Sequence, residues 1–196
     1  MHTDIQEILF SEEEIAKRIE EIGAQITEDY AERIEAGGKI IMISVLRGAA
    51  IFMADLARQV KLPVEMDYMA ISSYGNGTKS SGVVRILKDL TSEIKGAHII
   101  IAEDILDSGL TLKYLMKSLA SREPASIEVA TLLRKKTLAQ ANIRCKYIGF
   151  ECPDQFIVGY GLDYNERYRN MPYIGILKPE TYHRKRLALR MPHNGC

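Results

Sequence analysis

Apolar residues along the first part of the chain change their period repeatedly, and each change marks an element. From Ser11 onward Ile15, Ile19, Ile22 and Ile26 recur every three to four residues, the stripe of an amphipathic helix. Ser11-Glu12-Glu13-Glu14 is a capping box at its start, and Gly37-Gly38 end the helical region. Residues 39–46 then form a short apolar run (Ile40, Ile41, Met42, Ile43, Val45), which predicts a central strand. Helical spacing returns from about residue 49 to 60, with Ile51, Phe52, Leu56 and Val60 inward.

Val64, Met66, Tyr68 and Ala70 alternate with Glu65, Asp67 and Met69, the period of a second strand. Residues 72–82 are polar and rich in Gly and Ser, and strand character resumes over 83–87. Residues 98–102 read as a buried strand. Leu112, Leu115, Met116 and Leu119 predict a helix over about 110–120, closed by Pro124. A further strand covers 127–133, with shorter ones at 146–150, 155–160 and 173–177. Strands alternating with helices predict an α/β fold: an open, largely parallel sheet with helices on both faces. Ligands of such sheets bind beyond the carboxyl ends of the strands.

Composition narrows the partners. A chain of 196 residues suits one domain with a full core. Its 26 Lys+Arg balance its 26 Asp+Glu, so there is no bulk electrostatic case for nucleic acid or an anionic membrane. The apolar runs are strand-sized, which predicts no bilayer span and no membrane partner. Met-His-Thr-Asp-Ile-Gln-Glu has neither a basic n-region nor an apolar h-region, so no secretory signal is expected, and the Asn76-Gly77-Thr78 sequon is without meaning. Cys145, Cys152 and Cys196 are odd in number and lack metal-ligand spacing, which fits a cytoplasmic setting.

The chemistry concentrates in Ile99-Ile-Ile-Ala-Glu-Asp-Ile-Leu-Asp-Ser-Gly-Leu-Thr111. A strand leads into three carboxylates, Glu103, Asp104 and Asp107, and then through Ser108, Gly109 and Thr111 into a helix. The free amides of such a turn attract a phosphate, and the acids attract a cation or sugar hydroxyls. A solvated acidic loop with Asp107 or Ser108 as N-cap would explain one acid. It would not explain two adjacent acids without a basic neighbour, which repel unless a cation or donors lie between them. No Gly-x-Gly-x-x-Gly follows a strand, and Gly77-Thr78-Lys79-Ser80 lacks the glycine spacing of a Walker A loop. Other candidates stay open on their own residues. Leu46-Arg47-Gly48 is an ordinary strand-to-helix turn or an anion site; 72–82, with Ser73 and Tyr74 at its base, is a lid or a mobile hairpin. Lys135 is a solvated turn residue or a ligand contact. Phe156 is a core strand residue together with Val158 or a base platform, and Asp163 and Arg169 are a polar turn or a cation and phosphate pair.

These segments together resemble the type I phosphoribosyltransferases. The 99–111 run is similar to the family's phosphoribosyl-pyrophosphate (PRPP) loop, Leu46-Arg47-Gly48 to its pyrophosphate loop and Ser72-Ser73-Tyr74-Gly75 to the start of its lid. Leu132-Leu-Arg-Lys-Lys-Thr137 and Val158-Gly-Tyr-Gly-Leu-Asp-Tyr-Asn-Glu166 match the 6-oxopurine branch. The match runs from about residue 40 to 178. Gln155 and the longer basic tail from Tyr182 depart from the pattern, as does Arg47, where many relatives carry Lys.

The resemblance implies one domain over 1–196, with a core of about 35–150 and a small hood from about 1–30 and 150–180. It implies purine salvage, with Mg²⁺-dependent transfer of phosphoribosyl from PRPP to N9 of hypoxanthine or guanine. In that reading the amides of 107–111, including Gly109 and Leu110, with the Ser108 and Thr111 hydroxyls, cradle the 5′-phosphate. Glu103 and Asp104 hold the ribose hydroxyls and a first Mg²⁺, and Asp107 is the general base at purine N7. Leu46, Arg47 and Gly48 present amides to pyrophosphate, with the Leu46–Arg47 peptide in cis. Ser73 and Tyr74 close on the substrate, Lys135 bonds the 6-oxo group, and Phe156 stacks on the purine whose edge donates to the Ile157 carbonyl. Asp163 binds a second Mg²⁺ and Arg169 the pyrophosphate. A homodimer or homotetramer is implied. The competing class is a regulator that keeps the fold, binds RNA or DNA and senses PRPP. Neutral charge, single-domain length and the presence of Asp107, Lys135 and Phe156 oppose it.

Overall fold

The structure, a computed structural model, describes residues 2–74, 83–107, 109–135 and 143–182. Most of the expected lid, Ser108, Lys136, Thr137 and the basic tail beyond Tyr182 lie outside the described residues.

Helix α1 (Glu12–Glu35) begins at the expected capping box. The Ser11 hydroxyl accepts from the Glu14 amide at 3.2 Å and the Glu14 carboxylate accepts from the Ser11 amide at 2.8 Å. Its stripe of Ile15, Ile19, Ile22 and Ile26 is buried together with Tyr30. Each such aliphatic side chain removed from water contributes roughly 1.5–3 kcal/mol. α2 (Ala50–Gln59) packs beside α1, and α3 (Leu110–Ala120) covers the opposite face of the sheet.

The main sheet has six strands: β2 (Ile40–Leu46), β3 (Val64–Tyr74), β4 (Val83–Lys88), β5 (His98–Leu106), β6 (Ser126–Lys135) and β7 (Tyr147–Cys152), in the order β4-β3-β2-β5-β6-β7. All pairs are parallel except β3 with β4, which forms an antiparallel edge. A second sheet of three antiparallel strands joins the amino-terminal strand to two later ones: β1 (Ile5–Phe10), β9 (Ile174–Leu177) and β8 (Ile157–Val158). No helix of the described residues is long and apolar enough to cross a membrane.

Several expectations need correction. β5 does not stop at Ala102 but continues through Glu103 and Asp104 to Leu106. Its parallel ladder with β6 runs on, with Glu103 opposite Thr131, Ile105 opposite Leu133 and Leu106 opposite Arg134. The acids are therefore held by strand backbone rather than by a loop. Gly109 (φ 69°) is the N-cap of α3, and it makes no side-chain cap bond. Lys135 ends β6 rather than following it. Ile51 is exposed, not inward, and the expected strand at 155–160 shrinks to two residues. β1 has no counterpart in the pattern analysis.

Candidate functional site

Strands β2, β5 and β6 deliver their carboxyl ends to one cleft. A cavity of about 290 Å³ there is lined by Leu46, Gly48, Glu103, Asp104, Asp107 and Thr111, among others. Burial and the neighbouring Asp104 charge push Glu103 up to about 8. Asp104 is also raised by burial, partly offset by amide hydrogen bonds, chiefly from Ile105 (2.9 Å), and by the Arg169 charge. A cation bound at two carboxylates held this way would favour their ionised form, with the proton lost to solvent.

The turn at 46–48 is pressed onto these acids. The Leu46–Arg47 peptide is cis. A Cβ on Gly48 would lie 1.8 Å from Asp104 Oδ2, so only glycine lets the turn approach. On its other side, a Cβ on Gly161 (φ 98°) would lie 2.1 Å from the Gly48 carbonyl oxygen. The 46–48 turn is thus held between the β5 acids and the loop after β8.

On the opposite wall, α3 follows its N-cap Gly109 and carries no acid in its first turn. Its leading amides face no side-chain cap, the state in which a helix N-terminus takes an anion. Asp107 and Thr111 are exposed beside it. Lys135 is largely buried, with Nζ 3.4 Å from Asp107 Oδ1 and 2.9 Å from Asp154 Oδ1. Burial pulls its pKa down, but the bond to Asp154 and the charge of Asp107 outweigh it and hold the ammonium above the usual lysine range. Asp154 brings with it Phe156, two residues on. Phe156 remains 39% exposed, stacked on Tyr182 (5.2 Å, 24°) and edge-on to Tyr164 (5.3 Å, 90°). One face of the ring is therefore taken by Tyr182, a partner the sequence does not suggest. Ile157 is buried in the β8–β9 pair.

The loop after β8 supplies the remaining charges. Arg169 donates to the Gly161 carbonyl (2.7 Å) and pairs with Asp163 (2.8 Å) and Glu166 (3.3 Å). Its Nε is buried without a hydrogen-bond partner among the described residues. Arg47 pairs with Glu166 at 2.8 Å. Tyr160 (φ 50°) anchors the loop by donating to Asp55 of α2.

The structure thus brings together Leu46, Arg47, Gly48, Glu103, Asp104, Asp107, Gly109, Thr111, Lys135, Asp163 and Arg169. Leu110 starts α3 but is 60% exposed. Ser73 and Tyr74 end β3, beside β4. Sequence reasoning does not single out Asp154, Glu166 or the Asp55–Tyr160 bond. The signals available were a Pro-Asp pair after a strand and a glutamate in a turn between two aromatics. Among the described residues no three His, Cys, Asp or Glu gather as a metal cluster. Glu103–Asp104 and Asp163 are separate candidates. Two adjacent oxygen donors suit Mg²⁺, which takes one or two carboxylates and completes its shell with water and phosphate oxygens.

The phosphoribosyl transferase domain family matches residues 6–165 of the chain. The hypoxanthine-guanine phosphoribosyltransferase of Mycobacterium tuberculosis (strain CDC 1551 / Oshkosh) is 51% identical over 180 residues, 91% of this chain and 89% of that protein. The crystal structure of a hypoxanthine phosphoribosyltransferase from Staphylococcus aureus superposes with a TM-score of 0.86 at 47% identity, covering 93% of this chain and 96% of that one. A Trypanosoma cruzi hypoxanthine phosphoribosyl transferase, studied for the role of its C-terminal region in oligomeric state and activity, gives 0.89 at 38% identity over 95% and 98%.

Proposed function

This chain belongs to the phosphoribosyltransferase family, and we propose that its cleft carries out the salvage of 6-oxopurines: phosphoribosyl moves from PRPP to N9 of hypoxanthine or guanine, giving IMP or GMP and pyrophosphate. The observation that supports this best is the pair Glu103–Asp104, held in strand backbone and raised by burial, facing an uncapped helix N-terminus across one cavity. One wall suits the hydroxyls of a sugar and the other its phosphate.

In this reading the amides at the start of α3 and the Thr111 hydroxyl bind the 5′-phosphate. Glu103 and Asp104 orient the ribose and are the residues that would hold Mg²⁺, with Asp163 a second candidate. Bound Mg²⁺ supplies charge neutralisation of the diphosphate. The turn at 46–48, Arg47 and Arg169 take the leaving group, so negative charge that builds on it as the C1–oxygen bond breaks meets fixed positive charge. Lys135 donates to the purine 6-oxo group. Asp107 accepts the N7 proton, with the Lys135 ammonium 3.4 Å from its carboxylate. Phe156 covers the base from the side that Tyr182 leaves open.

Protein mixed with PRPP, Mg²⁺ and hypoxanthine should give the ultraviolet change of nucleotide formation. No change, together with salt-sensitive RNA binding, would support the regulator instead. We further propose a homodimer or homotetramer in a cytoplasmic setting, to be checked by sedimentation.

A further inference from the structure

Asn165 and Glu166 both have left-handed backbones (φ 52° and 62°). Across them Tyr164 and Arg167 exchange backbone hydrogen bonds of 3.2 and 3.1 Å. This is a two-residue turn with positive φ at both central positions, the geometry that selects Asn followed by Gly. Asn stands first as the rule asks, but Glu stands where glycine is the unstrained residue. A residue that breaks a local preference directs attention to what its side chain does.

The contacts of Glu166 answer that. Its Oε2 accepts from Arg47 Nη1 at 2.8 Å, its Oε1 lies 3.3 Å from Arg169 Nη2, and its amide is tied to Asp163 Oδ2 at 2.8 Å. One carboxylate therefore bridges guanidinium groups from two segments, the 46–48 turn and the loop after β8. The acids do not fill the donor set of Arg169, because Nε has no hydrogen-bond partner among the described residues.

We infer that Glu166 is a built-in competitor of the diphosphate group: its carboxylate and pyrophosphate contend for Arg47 and Arg169, and this contest sets how tightly pyrophosphate is held and how fast it leaves. The inference rests on the assignment of those two arginines to the leaving group. A diphosphate carries several charges against one and has oxygens enough for two guanidinium forks, so it wins the pair when bound. The carboxylate recovers the arginines as the product departs, which lowers the cost of separating two cations from their anion. Glu166 acts through the arginines as a positioning residue.

Calorimetric titration of inorganic pyrophosphate with Mg²⁺, and stopped-flow release of it, provide the test. Glu166→Gln should bind pyrophosphate about two- to fivefold more tightly, the range of exposed ion pairs, and release it more slowly by a similar factor. The KM for hypoxanthine should not move. Glu166→Gly removes the same charge while relaxing the turn, so it should show the same gain in affinity with a higher Tm. In an Arg47→Ala background the gain should shrink, because one of the contested cations is gone. Pyrophosphate affinity that is unchanged or weaker in both Glu166 variants overturns the inference. If Arg169→Ala binds pyrophosphate as tightly as wild type, the leaving-group assignment fails instead, so the two failures are told apart.

Discussion

Lys135 illustrates how single groups are tuned here. Its ammonium lies between Asp107 and Asp154, 64% and 65% exposed, while it is only 16% exposed itself. Lys135→Ala should raise the KM for the purine far more than that for PRPP, as steady-state kinetics would show; equal changes would place the lysine elsewhere. Asp107→Asn should reduce turnover by about 10²–10⁴-fold, the usual worth of a general base. Away from the cleft, Asp67 is 5% exposed yet charged. Burial opposes its ionisation, but amides of Ser92, Tyr68 and Thr91 and the Thr91 hydroxyl outweigh burial and hold it well below the usual carboxylate range. Because the folded carboxyl titrates lower than the unfolded one, its stabilisation is full above about pH 4 and is lost as pH falls further. Asp67→Ala should cost about 3 kcal/mol at pH 7, the scale of breaking a buried charged network, and flatten the acid limb of the unfolding curve. Adjacency made Glu103 and Asp104 legible in the sequence. Glu166 was not, because its partner Arg47 lies 119 residues away.

Among elements, helices were the easiest to read. α1 carries its own start signal and stripe, and α3 begins and ends at the predicted residues. Strands were harder, because both faces of the main sheet are covered and alternation no longer separates inside from outside. In β3, Met69 is fully buried beside the charged Asp67, while Met66 is 41% exposed. β5 ran past its apolar segment because pairing with β6 continued to hold it. β1 escaped notice for a related reason: two register irregularities against β9 break any regular pattern in its six residues. The junction of β2 with α2 gives the sharpest prediction at this scale. Gly48→Ala should abolish most activity, since its methyl must displace the Asp104 carboxylate. Circular dichroism and Tm should show a folded protein, since α2 and β2 remain packed by Phe52, Met53 and Leu56.

For the molecule as a whole, the amino-terminal segment closes on β9 and its neighbours. β1 pairs with β9, Tyr168 donates to Asp4 at 2.6 Å, the Lys178 ammonium donates to the Thr3 carbonyl at 2.7 Å, and Phe10 stacks on Phe150 at 4.1 Å. The loop that carries Asp163 and Arg169 lies between β8 and β9, so the amino terminus steadies it at a distance. Removing residues 1–10 should lower Tm, expose the β9 edge and raise light scattering, with KM for PRPP rising before the fold is lost. The unbroken apolar run of β2 announced its central place, and it is paired on both sides, but the rest of the strand order was not legible. Periodicity announces a parallel sheet without saying which neighbours each strand takes, a choice made by packing between residues far apart in the chain.

The contact of Gly48 with Gly161 bears on how such a catalyst diversifies. Where main chain rests directly on main chain, no side chain is available to enlarge or shrink that part of the cleft by degrees. With the leaving-group assignment proposed above, descendants of this sequence that need a different grip on the departing anion are steered toward exchanging formal charges around an unchanging scaffold, at positions such as Arg47 and Glu166, rather than toward recarving its walls.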